Sequence, residues 1–467
     1  MLYLHNDKLQ PLNVDRGVSL AGIISFSPQL TSLQLYLTDA SSGTTISEEV
    51  VKPPKERDES YSLNIPAEGG EAKLTANTTL GLFRGLTTFG QLCFLVDDIN
   101  RLLDTISWVN LNQFHLHIID SQSFLLKLPN FPEIANAGAY SNDSTDSAGD
   151  VSKVVVAFAA LRGIDVPVEV DTPGHTSAIS ASHPEHVACA GKTPWATYAN
   201  EPPAGQLRLT SDNTANFTAS LLADIVNLFP SSLFITGGDE INANCYQNDE
   251  KTQQSLSSSG KTIDQALDGF TNVTHKAVGG AGKTPLVWEE MVLQHNVTLE
   301  NDTVVMVWIS SDDVKAVAEK GFQIVHAASD YFYLDCGAGG WVGANPAGNS
   351  WCDPFETWRK SYSFDPYGNL TFDQYPLVLG GESLWTEQSS PENMDSIIWP
   401  RAASAAEVFW TGDQLPGGVN RTSLQGVQSA LPRLHDWSFR TRARGTKTIS
   451  LQPLWCALKP GVCDLTA

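Results

Sequence analysis

The sequence predicts an α/β chain: a (β/α)8 TIM-type barrel preceded by a small α+β domain. Three observations carry the prediction. From about residue 97, short apolar runs alternate with stretches of helical periodicity, the sequence form of repeated β/α units. Most of those runs end in acidic, polar or aromatic residues, and such a barrel holds its active site at the C-terminal strand ends. At 467 residues the chain exceeds one ordinary core and leaves room for a barrel of roughly 250 residues or more beside a second domain.

In chain order, Leu33 to Leu37 alternates like a strand, Pro53-Pro54-Lys55-Glu56-Arg57 reads as a loop and Leu82 to Leu92 as a helix. These place the small α+β domain, expected to be truncated, at residues 1–92 and the barrel at 93–467. Barrel strands are expected at Phe114 to Ile119, Ile164 to Val170, Leu233 to Ile235, Leu286 to Trp288, Val304 to Ile309, Phe322 to His326 and Leu377 to Leu379. That makes seven, one short of a closed barrel. Helical spacing recurs between them, in Ile99 to Val109, Val151 to Leu161 and Phe217 to Phe229.

The hydrophobic fraction of 42% against 17% charged residues describes a well-packed globular protein rather than a disordered one. A formal charge of −23, with no basic cluster, disfavours a nucleic-acid partner. No apolar run reaches the ~20 residues that span a bilayer. Seven cysteines allow two local pairs, Cys336 with Cys352 and Cys456 with Cys463, plus Cys189 with Cys245 at longer range and Cys93 left over. Seven buried thiols are the alternative. Asn-x-Ser/Thr sequons at Asn77, Asn142, Asn216, Asn272, Asn296, Asn301, Asn369 and Asn420 favour the oxidising, glycosylating reading, hence an extracellular or secretory location. The start, Met1 to Lys8, lacks the basic-then-apolar pattern of a signal peptide, so export requires a missing N-terminus or another signal.

The chemistry concentrates at Leu233-Phe234-Ile235-Thr236-Gly237-Gly238-Asp239-Glu240, where a buried strand ends in two adjacent carboxylates. The paired glycines permit a sharp turn or a close ligand approach. Adjacent Cα atoms lie only ~3.8 Å apart, so Asp239 and Glu240 cannot easily flank a sugar from opposite faces as an acid and nucleophile pair must. They work from one side. Singly, Asp120 or Asp171 reads more readily as a helix cap or loop acid, His175 as a turn residue, and each tryptophan as core. Joint placement at successive strand ends reverses those readings.

The segments Phe114-His115-Leu116-His117-Ile118-Ile119-Asp120, Val170-Asp171-Thr172-Pro173-Gly174-His175-Thr176, Gly237-Gly238-Asp239-Glu240, Val287-Trp288-Glu289-Glu290, Tyr333-Leu334-Asp335-Cys336-Gly337 and Gly380-Gly381-Glu382-Ser383-Leu384-Trp385-Thr386-Glu387 together resemble family 20 glycoside hydrolases, the β-N-acetylhexosaminidases, especially the fungal secreted branch. The resemblance runs from roughly residue 80 to the C-terminus. It implies a retaining mechanism in which the substrate's 2-acetamido oxygen, not a protein nucleophile, attacks the anomeric carbon and forms an oxazolinium intermediate. By the same resemblance Glu240 is the general acid and then base, Asp239 orients the acetamido N–H, and Tyr333 holds the acetamido oxygen. Trp288, Trp308 and Trp385 wall the pocket, Asp335 and Glu387 accept from sugar hydroxyls, and Asp120, Asp171 and His175 support the acid. The implied substrates are chitooligosaccharides or glycans ending in N-acetylhexosamine. No metal or cofactor is needed, and a homodimer suits the family.

One departure stands out. The family places a first barrel strand with an Arg-Gly motif between a helix like Leu82 to Phe89 and one like Val96 to Trp108, whereas here Gln91-Leu92-Cys93-Phe94-Leu95 joins the two directly. The expectation is an open barrel, an unpaired edge on Phe114 to Ile119 and weakened sugar binding without the arginine. A pseudoenzyme that binds N-acetylhexosamine without cleaving it is therefore the rival reading. A metal-dependent amidohydrolase, hinted at by His115-x-His117, would need histidines at later strand ends, and only His326 approaches such a place.

Overall fold

The structure, a computed structural model, describes residues 30–38, 45–50, 52, 58–64, 70–91, 96–140, 145–147, 150–385, 390–459 and 461–464. The expected loop at Pro53 to Arg57, the join at Leu92 to Leu95 with Cys93, and Glu387 lie outside those residues.

A three-stranded sheet comes first. Strand β1 (Leu30–Leu37) runs parallel to β3 (Gly70–Ala76), and β2 (Tyr61–Asn64) pairs antiparallel with the other edge of β3. Helix α1 (Ile46–Val50) lies between β1 and β2 in the chain, and α2 (Thr79–Gln91) covers the sheet. Leu35, Leu74, Ala76 and Leu82 form a core of their own. Gly85 has a packing reason: a Cβ there would lie 2.2 Å from Leu74 Cδ1, so a larger residue would push α2 off the sheet.

After α3 (Val96–Ser107), seven parallel strands follow in chain order: β4 (Leu116–Asp120), β5 (Val168–Val170), β6 (Leu233–Ile235), β7 (Thr284–Trp288), β8 (Val304–Val307), β9 (Gln323–His326) and β10 (Val378–Gly381). Each pairs with the next. The sequential order needs a crossover at every step, and helices such as α4 (Asp150–Ala160), α5 (Asp212–Val226) and α6 (Ile263–Gly280) supply several. Strand alternation sorts the side chains into two cores. Phe234, Val287, Val305 and Val307 face the helices, while Ile235, Leu286, Trp288, Val304 and Met306 fill the interior.

All seven expected strands form, with shorter ladders where a backbone group is diverted. Regular pairing in β5 begins only after Pro167, which has no N–H to donate. Strand β8 stops at Val307 because the Trp308 N–H turns to the Glu289 carboxylate at 3.0 Å.

Among the described residues β4 and β10 share no ladder, so the barrel is open on that side. Side chains cross the seam instead. His115 Nδ1 meets Glu382 Oε2 at 3.2 Å, His115 Nε2 meets Glu169 Oε2 at 2.7 Å, and Phe114 stacks on Trp385 with centroids 6.3 Å apart. A cavity of about 580 Å³ runs along the seam, lined in part by His117, Trp288, Leu384 and Trp399.

The cysteine pairs Cys189–Cys245, Cys336–Cys352 and Cys456–Cys463 are bonded. Of the sequon asparagines, the seven within the described residues are all exposed. No described helix is long and apolar enough to cross a membrane.

The seam carries a pH-dependent tie. Burial works against the charged form of His115, but Glu382 and Glu169 outweigh it and raise its pKa to about 10. A folded-state pKa above the unfolded value of ~6.5 makes this stabilisation complete below that pH and lost as pH rises through about 10. His115→Gln is expected to cost roughly 3 kcal/mol near neutral pH. Thermal unfolding of both proteins from pH 6 to 11 should show the difference shrinking steadily above about pH 7 and largely gone by about pH 10, and a pH-independent difference would refute the tie.

Candidate active site

The acidic pair sits where β6 ends. Gly237 (φ +73°) and Gly238 (φ +100°) adopt the left-handed backbone their lack of a Cβ permits, and Glu240 holds φ +51° despite its side chain. The turn is tight because it wraps an acid: a Cβ on Gly237 would lie 1.7 Å from Asp171 Oδ1, and one on Gly238 would lie 2.4 Å from Met291 Cγ. Gly238 N–H donates to Asp171 Oδ1 at 3.2 Å. Asp171 thus holds the turn that presents the pair.

His175 occupies the centre. Its Nε2 lies 3.2 Å from Glu240 Oε2 and 3.8 Å from Asp239 Oδ2, and its Nδ1 lies 3.4 Å from both Asp120 Oδ1 and Glu201 Oε1. Burial opposes the imidazolium, but the carboxylates of Asp120, Glu201 and Glu240 outweigh it and raise the His175 pKa well above the usual value. Burial likewise pushes Asp120 upward, yet His175 and His117 hold it well below the ordinary range. Two sets of three groups, Asp120 with His175 and Glu201 and Asp171 with His175 and Asp239, have donor atoms within 4.8 Å and could hold a cation. The protonated His175 already supplies positive charge to both.

Asp239 behaves differently. Burial, reinforced by the charge of Asp171, raises its pKa well above that of a free carboxyl. Its Oδ1 is buried and has no hydrogen-bond partner. Burial raises the Asp171 pKa as well, to about 7.

An aromatic wall stands on the next strands. Trp288 ends β7 and donates through Nε1 to the buried Glu169 at 2.9 Å, and Trp308 lies edge-on to it with centroids 6.2 Å apart. Trp308 Nε1 donates to Glu290 Oε2 at 2.9 Å, while Glu290 Oε1 receives the Glu240 N–H at 3.4 Å. Glu290 therefore links the wall to the acid. Burial, with Asp313 and Glu290 nearby, raises the Glu289 pKa to about 9. Tyr333 stacks on Trp308 at 6.1 Å and bridges to Leu384, and Asp335 is buried two residues on.

The structure therefore brings Asp120, Asp171, His175, Asp239 and Glu240 together, and sets Trp288, Trp308 and Tyr333 in one run of rings. Trp385 stacks on Phe114 at the open seam. His326, the one later histidine near a place the amidohydrolase reading required, is buried and bonded to the Pro366 carbonyl at 3.0 Å. Sequence reading gave no role to Glu201, Glu169, Glu290 or Trp351. Glu201 lies in a loop before Pro202-Pro203 and is oriented by Gln122 at 2.8 Å. Trp351, more than half exposed, packs edge-on to Trp308 at 5.3 Å and Tyr333 at 5.2 Å. Glu169 alone carried a signal, being a charge inside the apolar run Val166 to Val170.

The model of glycosyl hydrolase family 20, catalytic domain, matches residues 87–413, and that of the beta-acetyl hexosaminidase like domain matches residues 13–92. A beta-hexosaminidase of Arthroderma benhamiae is 31% identical over 464 residues, covering 87% of this chain and 74% of its own. The chitooligosaccharidolytic beta-N-acetylglucosaminidase of Ostrinia furnacalis is 29% identical over 468 residues, covering 87% and 75%. Among solved structures, the chitobiase of Flavobacterium johnsoniae aligns with a TM-score of 0.61 at 24% identity over 83% of this chain and 60% of that one. The family 20 beta-N-acetylhexosaminidase of Streptomyces coelicolor aligns at 0.58 and 22% over 90% and 85%. At that identity the structural likeness speaks for the fold.

Gly237→Ala should cost about 1–3 kcal/mol from the left-handed backbone alone, with more from the clash with Asp171. Chemical denaturation of the variant against Gly163→Ala, a left-handed glycine with nothing within 4 Å, measures the clash. Equal losses would mean that Asp171 does not hold the turn.

Proposed function

The chain belongs to glycosyl hydrolase family 20, a glycoside hydrolase of the β-N-acetylhexosaminidase type, and from that premise we propose that Asp239 and Glu240 remove terminal N-acetylhexosamine by substrate-assisted, retaining catalysis. The observation that carries the proposal is Asp239 Oδ1, a buried acceptor with no hydrogen-bond partner beside the exposed-edge acid Glu240. The N–H of a 2-acetamido group is the donor that this atom lacks.

In the first step the acetamido oxygen attacks C1, the bond from C1 to the leaving oxygen breaks, and Glu240 gives that oxygen its proton. Asp239, receiving the acetamido N–H, favours the positive charge that develops on the oxazolinium ring. A cation beside it also stabilises the ionised form of an acid whose pKa burial has raised. In the second step Glu240 takes a proton from water, the water oxygen bonds to C1, and the acetamido oxygen leaves. Two displacements restore the original configuration. His175, held by Asp120 and Glu201, orients Glu240 throughout.

Trp288, Trp308 and Tyr333 give the methyl and pyranose faces flat apolar surface, and Asp335, with Glu387 in the motif, takes sugar hydroxyls. Trp351 extends the wall outward, which fits a second sugar and favours chitooligosaccharides. Disulfides and exposed sequons support a secretory location. A homodimer completes the proposal, and light scattering at twice the chain mass tests it. The intact acid pair and its supporting network favour an enzyme over a binding-only relative.

Glu240→Gln is expected to lower kcat/KM for chitobiose by roughly 10²–10⁴-fold while sparing kcat/KM for a dinitrophenyl glycoside, whose leaving group needs no proton; because Glu240 also activates water, kcat falls on both. Asp239→Asn should lower kcat on both by about 10²–10³-fold. Equal losses of kcat/KM on the two substrates for Glu240→Gln would remove it as the proton donor, and near-normal kcat for Asp239→Asn would remove the acetamido contact. Activity should persist in a chelator.

A further inference from the structure

A second cluster of titratable groups lies outside this site, in the turn His183-Pro184-Glu185-His186. The His186 N–H donates to the His183 carbonyl at 3.1 Å, which folds the turn so that both rings and the intervening carboxylate converge. His183 Nδ1 lies 3.3 Å from Glu185 Oε1, His186 Nε2 lies 3.9 Å from the same oxygen, and the three residues each bring one ligand atom within 4.8 Å of the other two. Zinc bonds of ~2.0–2.1 Å at a tetrahedral centre put neighbouring ligand atoms about 3.4 Å apart, close to this spacing.

The outer nitrogens supply the independent observation. His183 Nε2 meets Glu133 Oε1 at 3.0 Å, and His186 Nδ1 meets Thr214 Oγ1 at 3.0 Å. Each imidazole is thus held from behind by an oxygen while its other nitrogen faces the shared point, the pattern by which ligating histidines are oriented. Phe217 packs against both rings, with centroids 4.2 Å from His186 and 5.0 Å from His183. The turn itself is fixed: Arg208, paired with Asp249 at 3.0 Å, donates to the Pro184 carbonyl at 3.1 Å, and the Cys189–Cys245 bond lies three residues on. Glu185 is more than half exposed, leaving an entry path and room for water.

We propose that His183, Glu185 and His186 bind one divalent transition-metal ion, zinc by donor type, with water in the fourth position. The ion staples the segment between His175 and Glu201 to the helices that carry Glu133 and Thr214, and takes no part in glycoside cleavage. The plainer arrangement, a His183 ring hydrogen-bonded between Glu133 and Glu185, predicts no ion.

Untagged full-length protein stripped with a chelator should take up one equivalent of Zn²⁺ by calorimetry. Co²⁺ in its place should give the absorption bands of a tetrahedral site. The double variant His183→Ala/His186→Ala should lose that equivalent and the rise in thermal midpoint that zinc brings. Glu133→Gln, which leaves the three ligands intact, should weaken binding roughly tenfold. The absence of saturable binding, or an equally tight equivalent in the double variant, which would place the ion among the acids around His175, overturns the proposal.

Discussion

One buried imidazolium holds the catalytic end of this barrel together. Asp120, Glu201, Asp239 and Glu240 arrive from two strand ends and a long loop, all within 4 Å of His175. In a chain of formal charge −23, acids crowded into a partly buried space repel one another and lose their hydration. The positive ring offsets part of that cost and sets the direction of Glu240. The price is uneven: Asp120 stays ionised, while Asp239 and Asp171 are pushed toward their neutral forms. The site is therefore tuned to receive a donor and a positive charge, both of which an acetamido sugar provides.

The open seam poses the opposite problem. Among the described residues β10 has no ladder partner on its outer edge, and β4 has one only at Ile119 and Asp120, which pair antiparallel with Phe124 and Ser123, so the expected unpaired edge is covered at that end alone. A second imidazolium, the partly buried His115, crosses part of the gap between Glu169 and Glu382, and Glu169 in turn fixes Trp288. Wall and seam are coupled through that one carboxylate. The supporting acids at β4, β5 and β6 stay in place because those strands pair with one another without help from across the gap.

Much of this was legible in the sequence because it follows from local pattern. The seven barrel strands are short apolar runs, most of them followed by acidic, polar or aromatic residues, and Gly237-Gly238 announced a backbone that turns sharply. What stayed hidden depends on contacts distant in the chain. Nothing near Glu201 reveals that it will meet His175, since a loop far from the motif carries it there. The end of β8 at Val307 depends on Glu289, a side chain from the neighbouring strand. Trp351 drew no reading from the sequence, and it is the Cys336–Cys352 bond that brings its neighbour Cys352 back beside the Tyr333 segment. Trp385 shows the reverse limit, for its motif was read while its ring partner at the seam was not.

The account rests on the amide arm of the sugar serving as nucleophile with Asp239 as its guide. The most direct test compares kcat/KM on nitrophenyl N-acetyl-β-glucosaminide and on nitrophenyl β-glucoside, which differ only in that arm. The account predicts that the glucoside is turned over at least about a thousandfold more slowly, corresponding to roughly 4 kcal/mol of lost transition-state stabilisation. Comparable rates on the two would contradict it.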